Sequence, residues 1–346
     1  MDGRVVGIFF LSVLSFAFAV FVTPLWSGFL YRYKMGKSIR DAASAPVMSA
    51  LHAKKAGTPT MGGVIIWATT LILAVFFAVA ARLWDGVFGN LTFLSRKETW
   101  LPLFTLVAAA LIGLVDDYWN VRRIGPKGGG LRMRHRLILY TLVSAVGAWW
   151  FYFKLGWKFV HVPFVGDIAI GWLFIPFFIL VVVATSFSVN ETDGLDGLAG
   201  GALAAAFAAF GAIAFAGGKY DIAGFCAVVC GATLAFLWFN VNPARFFMGD
   251  TGAMSLGVTL AIIAFLLNQE LLLLVIGFVF VLESLSVIVQ LCSKKFRHKK
   301  IFLSTPLHHH FEAQGWPEQK VVMRAWIIGA AAAVLGLAIA LLDKTL

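Results

Sequence analysis

Long runs of apolar residues alternate with short polar connections along almost the whole chain. A helix needs about 20 apolar residues to cross the roughly 30 Å hydrocarbon core of a bilayer. Ten runs approach or exceed that length, and the pattern therefore predicts about ten transmembrane helices. The runs cover residues 5–30, 61–83, 100–115, 137–153, 168–189, 195–216, 222–239, 251–267, 271–292 and 321–342.

Composition agrees with this interpretation. Hydrophobic residues make up 60% of the chain and charged residues 13%, and the mean hydropathy is +0.88. These values exclude an ordinary soluble domain. We predict an all-α polytopic membrane protein in which residues 1–346 form a single integral-membrane domain. Residues 158–169 carry a short alternating pattern and predict one small external hairpin.

The basic residues are distributed unevenly between the connections. Twenty of the 28 lysines and arginines fall in the odd-numbered connections, counted from the N-terminus, if Arg324 in the first turn of the tenth run is included. Connections rich in lysine and arginine remain on the cytoplasmic side of a membrane. We therefore expect the odd-numbered connections in the cytoplasm and both termini outside. This asymmetry explains the formal net charge of +11, and we expect no nucleic-acid partner.

Three acidic stretches fall in or beside these odd-numbered connections. Asp116 and Asp117 end the third run, residues 190–197 contain three carboxylates and no basic residue, and Asp250 stands between glycines before the eighth run. The first two have simpler interpretations: the Asp pair can stop a helix at the membrane interface, and Asp193 or Asp196 can cap the next helix. If all three stretches face one side of the membrane, they form a single acidic site.

Cationic and imidazole groups occur in the same connections. Lys54 and Lys55 precede a turn rich in glycine and threonine, a basic loop containing Arg136 follows the Asp pair, and three histidines follow the ninth run. Within that run Glu283 and Gln290 share one helical face. Carboxylates suit Mg²⁺, whereas cations and imidazoles suit phosphates. The residues therefore predict phosphoryl transfer between a soluble nucleotide and a lipid phosphate.

Five motifs distributed over nearly the whole chain carry a family resemblance. They are GTPTMGG at 57–63, VDDY at 115–118, TDGLDGL at 192–198, FMGD at 247–250 and PLHHHFE at 306–312, the last followed by Gly315 and Trp316. With these motifs the chain closely resembles the bacterial phospho-N-acetylmuramoyl-pentapeptide transferases, a branch of the polyprenyl-phosphate N-acetylhexosamine-1-phosphate transferases. The histidine motif separates this branch from its relatives.

The resemblance implies a specific reaction. Phospho-MurNAc-pentapeptide would pass from UDP-MurNAc-pentapeptide to undecaprenyl phosphate, forming lipid I and UMP for peptidoglycan synthesis with Mg²⁺ as cofactor. It also implies a multi-pass protein of the bacterial inner membrane, an active site on the cytoplasmic face and a homodimer.

The resemblance also implies roles for individual residues. Asp116 and Asp117 would deprotonate or position the lipid phosphate, and Asp250 would bind Mg²⁺. His308, His309 and His310 would complete the polar wall of the catalytic centre. The nucleoside and pyrophosphate pocket would be lined by Lys55, Thr60, Asn190, Asp193, Asp196, Asn240, Phe247 and Gln290, with Phe247 near the uracil.

The sequence departs from the family pattern at four positions. Asn120 stands where a lysine often follows the Asp pair, Arg136 replaces a lysine, Glu191 replaces an apolar residue and Ala253 replaces a serine. Arg136 keeps the positive charge, whereas Asn120 does not.

Two other functions are compatible with parts of the pattern. The nearest is a sister transferase that moves GlcNAc-1-phosphate onto the same lipid. Residues 308–316 distinguish this chain from that transferase. The other is an ion-coupled transporter with Glu283 and the Asp pair on its path. A transporter predicts acids spread through the membrane depth, whereas the acids here gather at one face.

Overall fold

The computed structural model describes residues 2–36, 55, 57–84, 89, 91–94, 97–126 and 129–343. Within these residues the chain forms twelve α-helices and one two-stranded sheet. The helices are α1 (Asp2–Arg32), α2 (Val64–Leu83), α3 (Lys97–Val121), α4 (Met133–Trp149), α5 (Phe174–Thr192), α6 (Leu198–Ala216), α7 (Tyr220–Asn240), α8 (Asp250–Leu266), α9 (Leu273–Ile276), α10 (Phe278–Arg297), α11 (Leu307–Ala313) and α12 (Glu318–Leu342). The strands are β1 (Phe159–Val162) and β2 (Gly166–Ala169).

Helices occupy all ten apolar runs, and the prediction of an all-α polytopic membrane protein is confirmed. In the described ranges, eight helical segments are long and apolar enough to cross a membrane. The other two runs correspond to α8, which has only 17 residues, and to the bent pair α9 and α10. The number of crossings and the side on which the termini lie stay predictions.

The ninth run differs from the expected single helix. It is bent by 85° at Gly277, which separates α9 from α10. The backbone ladder continues through the bend, because Gly277 N–H donates to Leu273 (2.9 Å) and Val281 N–H donates to Gly277 (3.1 Å). A β-carbon at position 277 would lie 2.6 Å from the Leu273 carbonyl oxygen. The absence of a side chain therefore permits the bend.

The simpler interpretations of the acidic stretches are wrong at two places. α3 continues to Val121, a full turn beyond Asp117, so the Asp pair lies inside a helix and does not end it. The N-cap position of α6 is Gly197, and no side chain makes a capping bond there. Asp193 and Asp196 therefore do not cap α6.

α8 is the central element of the bundle. All 17 of its residues are buried, because α2, α3, α5 and α6 pack around it. Glycines allow close approach: a side chain at Gly113 of α3 would collide with the backbone at Asp250, and one at Gly257 would collide with α5 at Ser186. Since the protein encloses α8, the helix does not need the length of a lipid-facing span.

Helix association in the core also uses hydrogen bonds. The Ser186 hydroxyl donates to the Met254 carbonyl (2.9 Å), and the Thr251 hydroxyl donates to the Ala110 carbonyl (2.8 Å). Lipid chains are as apolar as leucine, so close packing and such bonds replace the hydrophobic effect between helices. Large apolar side chains on the outer helices, such as Phe21 and Ile327, remain exposed and suit contact with lipid.

The predicted hairpin is present at the end of the bundle opposite Asp116. β1 and β2 pair antiparallel with Val160 opposite Ile168. His161 is buried beneath the hairpin, with Nδ1 2.7 Å from Asp167 Oδ1 and Nε2 2.6 Å from Asp343 Oδ2. Its backbone N–H donates to Glu270 (3.0 Å). His161 thus ties the hairpin to the end of α12 through its imidazole and to the turn before α9 through its backbone N–H.

Burial disfavours the charged imidazole, but the hydrogen bonds and charges of Asp343 and Asp167 outweigh that effect and raise the pKa of His161 above its ordinary 6.5. A raised pKa contributes stability below the unfolded value, and this contribution disappears as pH rises through the folded value.

We expect His161→Gln to lower the Tm of the detergent-solubilised protein by several degrees at about pH 6, and by less toward about pH 9, because the contribution of the charged imidazole is lost as the pH rises through the raised folded pKa. Thermal melts across this range measure the difference. His135→Gln is the matched control, because His135 is exposed near the start of α4. An equal loss of Tm at both ends of this pH range would contradict a stabilising contribution from the charged imidazole of His161.

Candidate active site

The first turn of α8 binds a carboxylate from α3. Asp117 is 3% exposed, and its oxygens accept the backbone N–H groups of Asp250 (3.2 Å) and Thr251 (3.0 Å). The first N–H groups of a helix have no partner within it, and the helix dipole favours a negative charge there. Asp117 therefore holds the start of α8, a role that the family resemblance does not include.

Gly249 makes this contact possible. Its φ of +74° lies in the left-handed region, and a side chain there would collide with the Asp117 carboxylate and the Thr60 hydroxyl. The Gly249 N–H donates to Asp193 (3.2 Å). The oxygen of Thr60 is buried and has no hydrogen-bond partner among the described residues. Thr60, Asp117 and Asp193 thus meet at one backbone turn.

One guanidinium lies between Asp116 and Asp250. Arg136 Nη1 donates to Asp250 Oδ2, and Nε lies 3.5 Å from Asp116 Oδ2. The remaining oxygens have neutral donors, because the Asn190 amide donates to Asp250 Oδ1 (2.8 Å) and the Leu131 N–H donates to Asp116 Oδ1. The ends of α3, α4, α5 and α8 therefore meet in one acidic centre.

The side chains of the three histidines point in different directions, because consecutive residues of a helix lie on different faces. His308 is 1% exposed, and both its backbone N–H (3.2 Å) and its Nδ1 (3.0 Å) contact Glu283 Oε2. His309 Nδ1 pairs with Glu312 (2.8 Å). His310 accepts from the Leu303 N–H (3.2 Å) at the surface.

His308 contacts the segment that contains Asp193. Its ring packs on Gly194, where a side chain would collide with Nε2, and Gly194 directly follows Asp193. Nε2 is buried and has no hydrogen-bond partner in the described part of the chain. With Nδ1 facing Glu283, Nε2 remains available for a ligand.

Lys55 belongs to a second polar cluster. Its Nζ lies 2.7 Å from Asp196 and 2.5 Å from Glu318. The Asn242 amide joins the same carboxylates, at 2.9 Å from Asp196 and 3.1 Å from Glu318. Lys54, the other lysine of this motif, lies outside the described residues.

Glu318 and Asn242 are not among the site residues predicted from the sequence. Glu318 opens α12 directly after Pro317, a common place for an acid at a helix start, and Asn242 follows the already noted Asn240. Neither local pattern indicates that the two side chains meet Lys55, because 263 positions separate Lys55 from Glu318.

Three of the expected pocket residues hold backbone segments in place. Asn240 accepts from Gly197 N–H (2.9 Å) and donates to Phe246 (2.8 Å). Gln290 accepts from the N–H groups of residues 301 and 302 at 2.9 and 3.1 Å. Phe247 is half-buried, and its N–H donates to Pro59 (2.8 Å). These contacts do not join the acidic centre, so a direct role of the three residues toward substrate stays a prediction.

The described residues contain no group of three or more His, Cys, Asp or Glu side chains arranged to hold a metal ion. Mg²⁺ usually binds through one or two protein carboxylates together with substrate phosphates and water. Asp116 and Asp250 supply two such carboxylates, and a cationic side chain already lies between them. This oxygen-only pair fits the ion.

The fold is that of a polytopic membrane protein, and comparison with known proteins gives its class as a membrane transferase. A family model described as glycosyl transferase family 4 matches residues 99–268. A second, described as phospho-N-acetylmuramoyl-pentapeptide-transferase signature 1, matches residues 55–66.

Relatives named phospho-N-acetylmuramoyl-pentapeptide-transferase match nearly the full length. Identity is 40% with the protein of Geobacillus sp. (strain WCH70), covering 94% of this chain and 95% of that protein. It is 38% with the protein of Shouchella clausii (94% and 95%) and 39% with that of Bacillus mycoides (96% and 97%). The chain belongs to the phospho-N-acetylmuramoyl-pentapeptide-transferase family, and the resemblance read from its motifs is confirmed.

We expect Gly249→Ala to remove most activity and to lower the Tm, because its methyl group would displace Asp117 from the start of α8. Gly218→Ala is the matched control: Gly218 has a similar φ of +72°, but a β-carbon there meets no atom within 4 Å. Both substitutions carry a backbone strain of about 1 kcal/mol. Turnover and thermal melts compare the two variants, and equal losses in both would show that Asp117 does not depend on Gly249.

Proposed function

We propose that this chain transfers phospho-MurNAc-pentapeptide from UDP-MurNAc-pentapeptide to undecaprenyl phosphate, forming lipid I and UMP in peptidoglycan synthesis. The observation that carries the proposal is the acidic centre at the start of α8, where Asp250 and Asp116 share one cation within a chain of this family. In the net reaction, an oxygen of the lipid phosphate bonds to the sugar-linked phosphorus. The bond from that phosphorus to the oxygen of UMP breaks.

The proposal includes Mg²⁺, which Asp250 and Asp116 would hold. When bound, the ion would supply positive charge to the diphosphate as UMP leaves. Two negatively charged substrates must approach a centre that is itself acidic. A divalent cation and Arg136 together would lower that repulsion.

The chain's own residues give the rest of the centre its shape. Asp117 and Asp193 fix the turn that carries Asp250, and Asn190 orients the Asp250 carboxylate. His308 presents Nε2 as a polar contact for substrate, and the Lys55 cluster lies beside the loop that bears Phe247. We place this centre on the cytoplasmic face of the bacterial inner membrane, in agreement with the basic odd-numbered connections. The homodimer is part of the same proposal.

The direct test is an assay with UDP-MurNAc-pentapeptide, undecaprenyl phosphate and Mg²⁺, scored for UMP and lipid product. We expect one UMP per lipid I, and a loss of about a thousandfold or more in Asp250→Ala, which removes a proposed metal ligand. Asp221→Ala, which changes a carboxylate at the opposite end of the bundle, is the control. Lipid product formed from UDP-GlcNAc instead would assign the chain to the sister transferases, and full turnover of Asp250→Ala would remove Asp250 from the site.

We expect Glu283→Gln to lower kcat by about tenfold or more with little change in Tm, because the neutral amide no longer fixes the His308 ring as the carboxylate does. Glu283→Asp should recover part of the loss. Ser284→Ala is the control, since it removes a contact between α10 and α5 (2.8 Å to Ser188) without touching His308. If Ser284→Ala loses as much activity, helix packing rather than the imidazole explains the effect.

A further inference from the structure

Arg136 lies where the local backbone disfavours a cation. It stands in the first turn of α4, which contains no acidic residue, and the positive end of the helix dipole opposes a guanidinium there. Only 19% of its side chain is exposed, and Nε has no hydrogen-bond partner within the described residues. The carboxylates of α3 and α8 therefore hold this cation in place.

The carboxylates of Asp116 and Asp250 make matching sets of contacts. Each has one oxygen bonded to a neutral N–H, from Asn190 or Leu131, and each turns its other oxygen to Arg136. Oδ2 of Asp116 and Oδ2 of Asp250 therefore face the same guanidinium. The guanidinium could therefore leave without releasing either carboxylate from its neutral donor. The two oxygens facing Arg136 would then remain side by side.

We infer that Arg136 is an exchangeable counter-ion of the acidic centre: its guanidinium occupies the cation position at rest, releases Asp250 when a divalent cation binds, and then donates to a substrate phosphate. The inference rests on the proposed function and deepens it. A planar guanidinium suits both states, because it can contact two carboxylates at once and can pair with phosphate oxygens in the same way.

The exchange makes metal binding and phosphate binding respond in opposite directions to the loss of the Arg136 charge. Removing a positive charge within a few ångströms of a cation position strengthens cation binding. Removing a donor from the same position weakens binding of an anionic phosphate. An arginine that stays between the carboxylates would shift cation binding in the same direction through its charge alone, so the response of its Nε–H to Mg²⁺ separates exchange from a fixed cation.

The test is titration of the purified full chain with Mn²⁺, followed by electron paramagnetic resonance of the free ion, and then titration of the Mn²⁺-loaded protein with UMP. We expect Arg136→Gln to bind Mn²⁺ about tenfold more tightly than the wild type and UMP about tenfold more weakly. Arg136→Lys, which keeps the charge, should stay close to the wild type in Mn²⁺ affinity. Arg134→Gln is the matched control, because it removes the same charge from an exposed position two residues away.

The outcomes separate this inference from the proposed function. Unchanged or weaker Mn²⁺ binding in Arg136→Gln, or equal tightening in Arg134→Gln, would overturn the exchange while leaving the transferase reaction in place. If the wild-type protein binds Mn²⁺ no more tightly than Asp250→Ala does, the metal site is wrong in this inference and in the proposed function.

A wild-type measurement keeps the inference testable if Arg136→Gln does not fold. In protein labelled with ¹⁵N-arginine, the buried Nε–H of Arg136, identified by its absence in Arg136→Lys, should exchange slowly with solvent. Addition of Mg²⁺ should shift this signal and speed its exchange. A signal that does not respond to Mg²⁺ would overturn the exchange.

Discussion

The N–H groups at the start of α8 lie where neither water nor lipid can accept their hydrogen bonds, and the architecture of the site depends on how the protein satisfies them. Asp117 from α3 accepts two of these groups, and Asp193 from the end of α5 accepts the N–H of Gly249. A buried N–H without a partner costs about 1–3 kcal/mol. Satisfying these donors fixes α3 and α5 against α8, and this placement brings Asp116 and Asn190 to Asp250.

Two clusters of the site combine one cation with two carboxylates. Arg136 lies between Asp116 and Asp250, and Lys55 lies between Asp196 and Glu318. Each cation therefore has two carboxylates around it. This excess of negative charge would be unfavourable for the anionic substrates of the proposed reaction. In that proposal, a divalent ion would offset part of the repulsion.

Periodicity and length were enough to predict the ten helical runs, because the bilayer sets the length of an apolar segment. The motifs that contain the Asp pair, Asp250 and the histidines also identified the family correctly. What the sequence could not show depends on contacts between distant segments. The bend at Gly277 and the enclosure of α8 arise from tertiary packing, and Glu318 reaches Lys55 only in the folded chain. The helix-stop interpretation of Asp116 and Asp117 failed because a carboxylate within a helix is tolerated where a neighbouring helix start needs an acceptor.

The complete burial of α8 also constrains how this protein can diverge. A helix that faces lipid on one side can exchange one large apolar residue for another at little cost, whereas α8 has no such side. Any gain in volume there requires a matching loss on α3, α5 or another neighbouring helix, as the close approach of Gly113 and Gly257 to other backbones illustrates. Substitutions in α8 should therefore accumulate in compensating groups, and a chimera that exchanges α8 alone between distant homologues should assemble poorly.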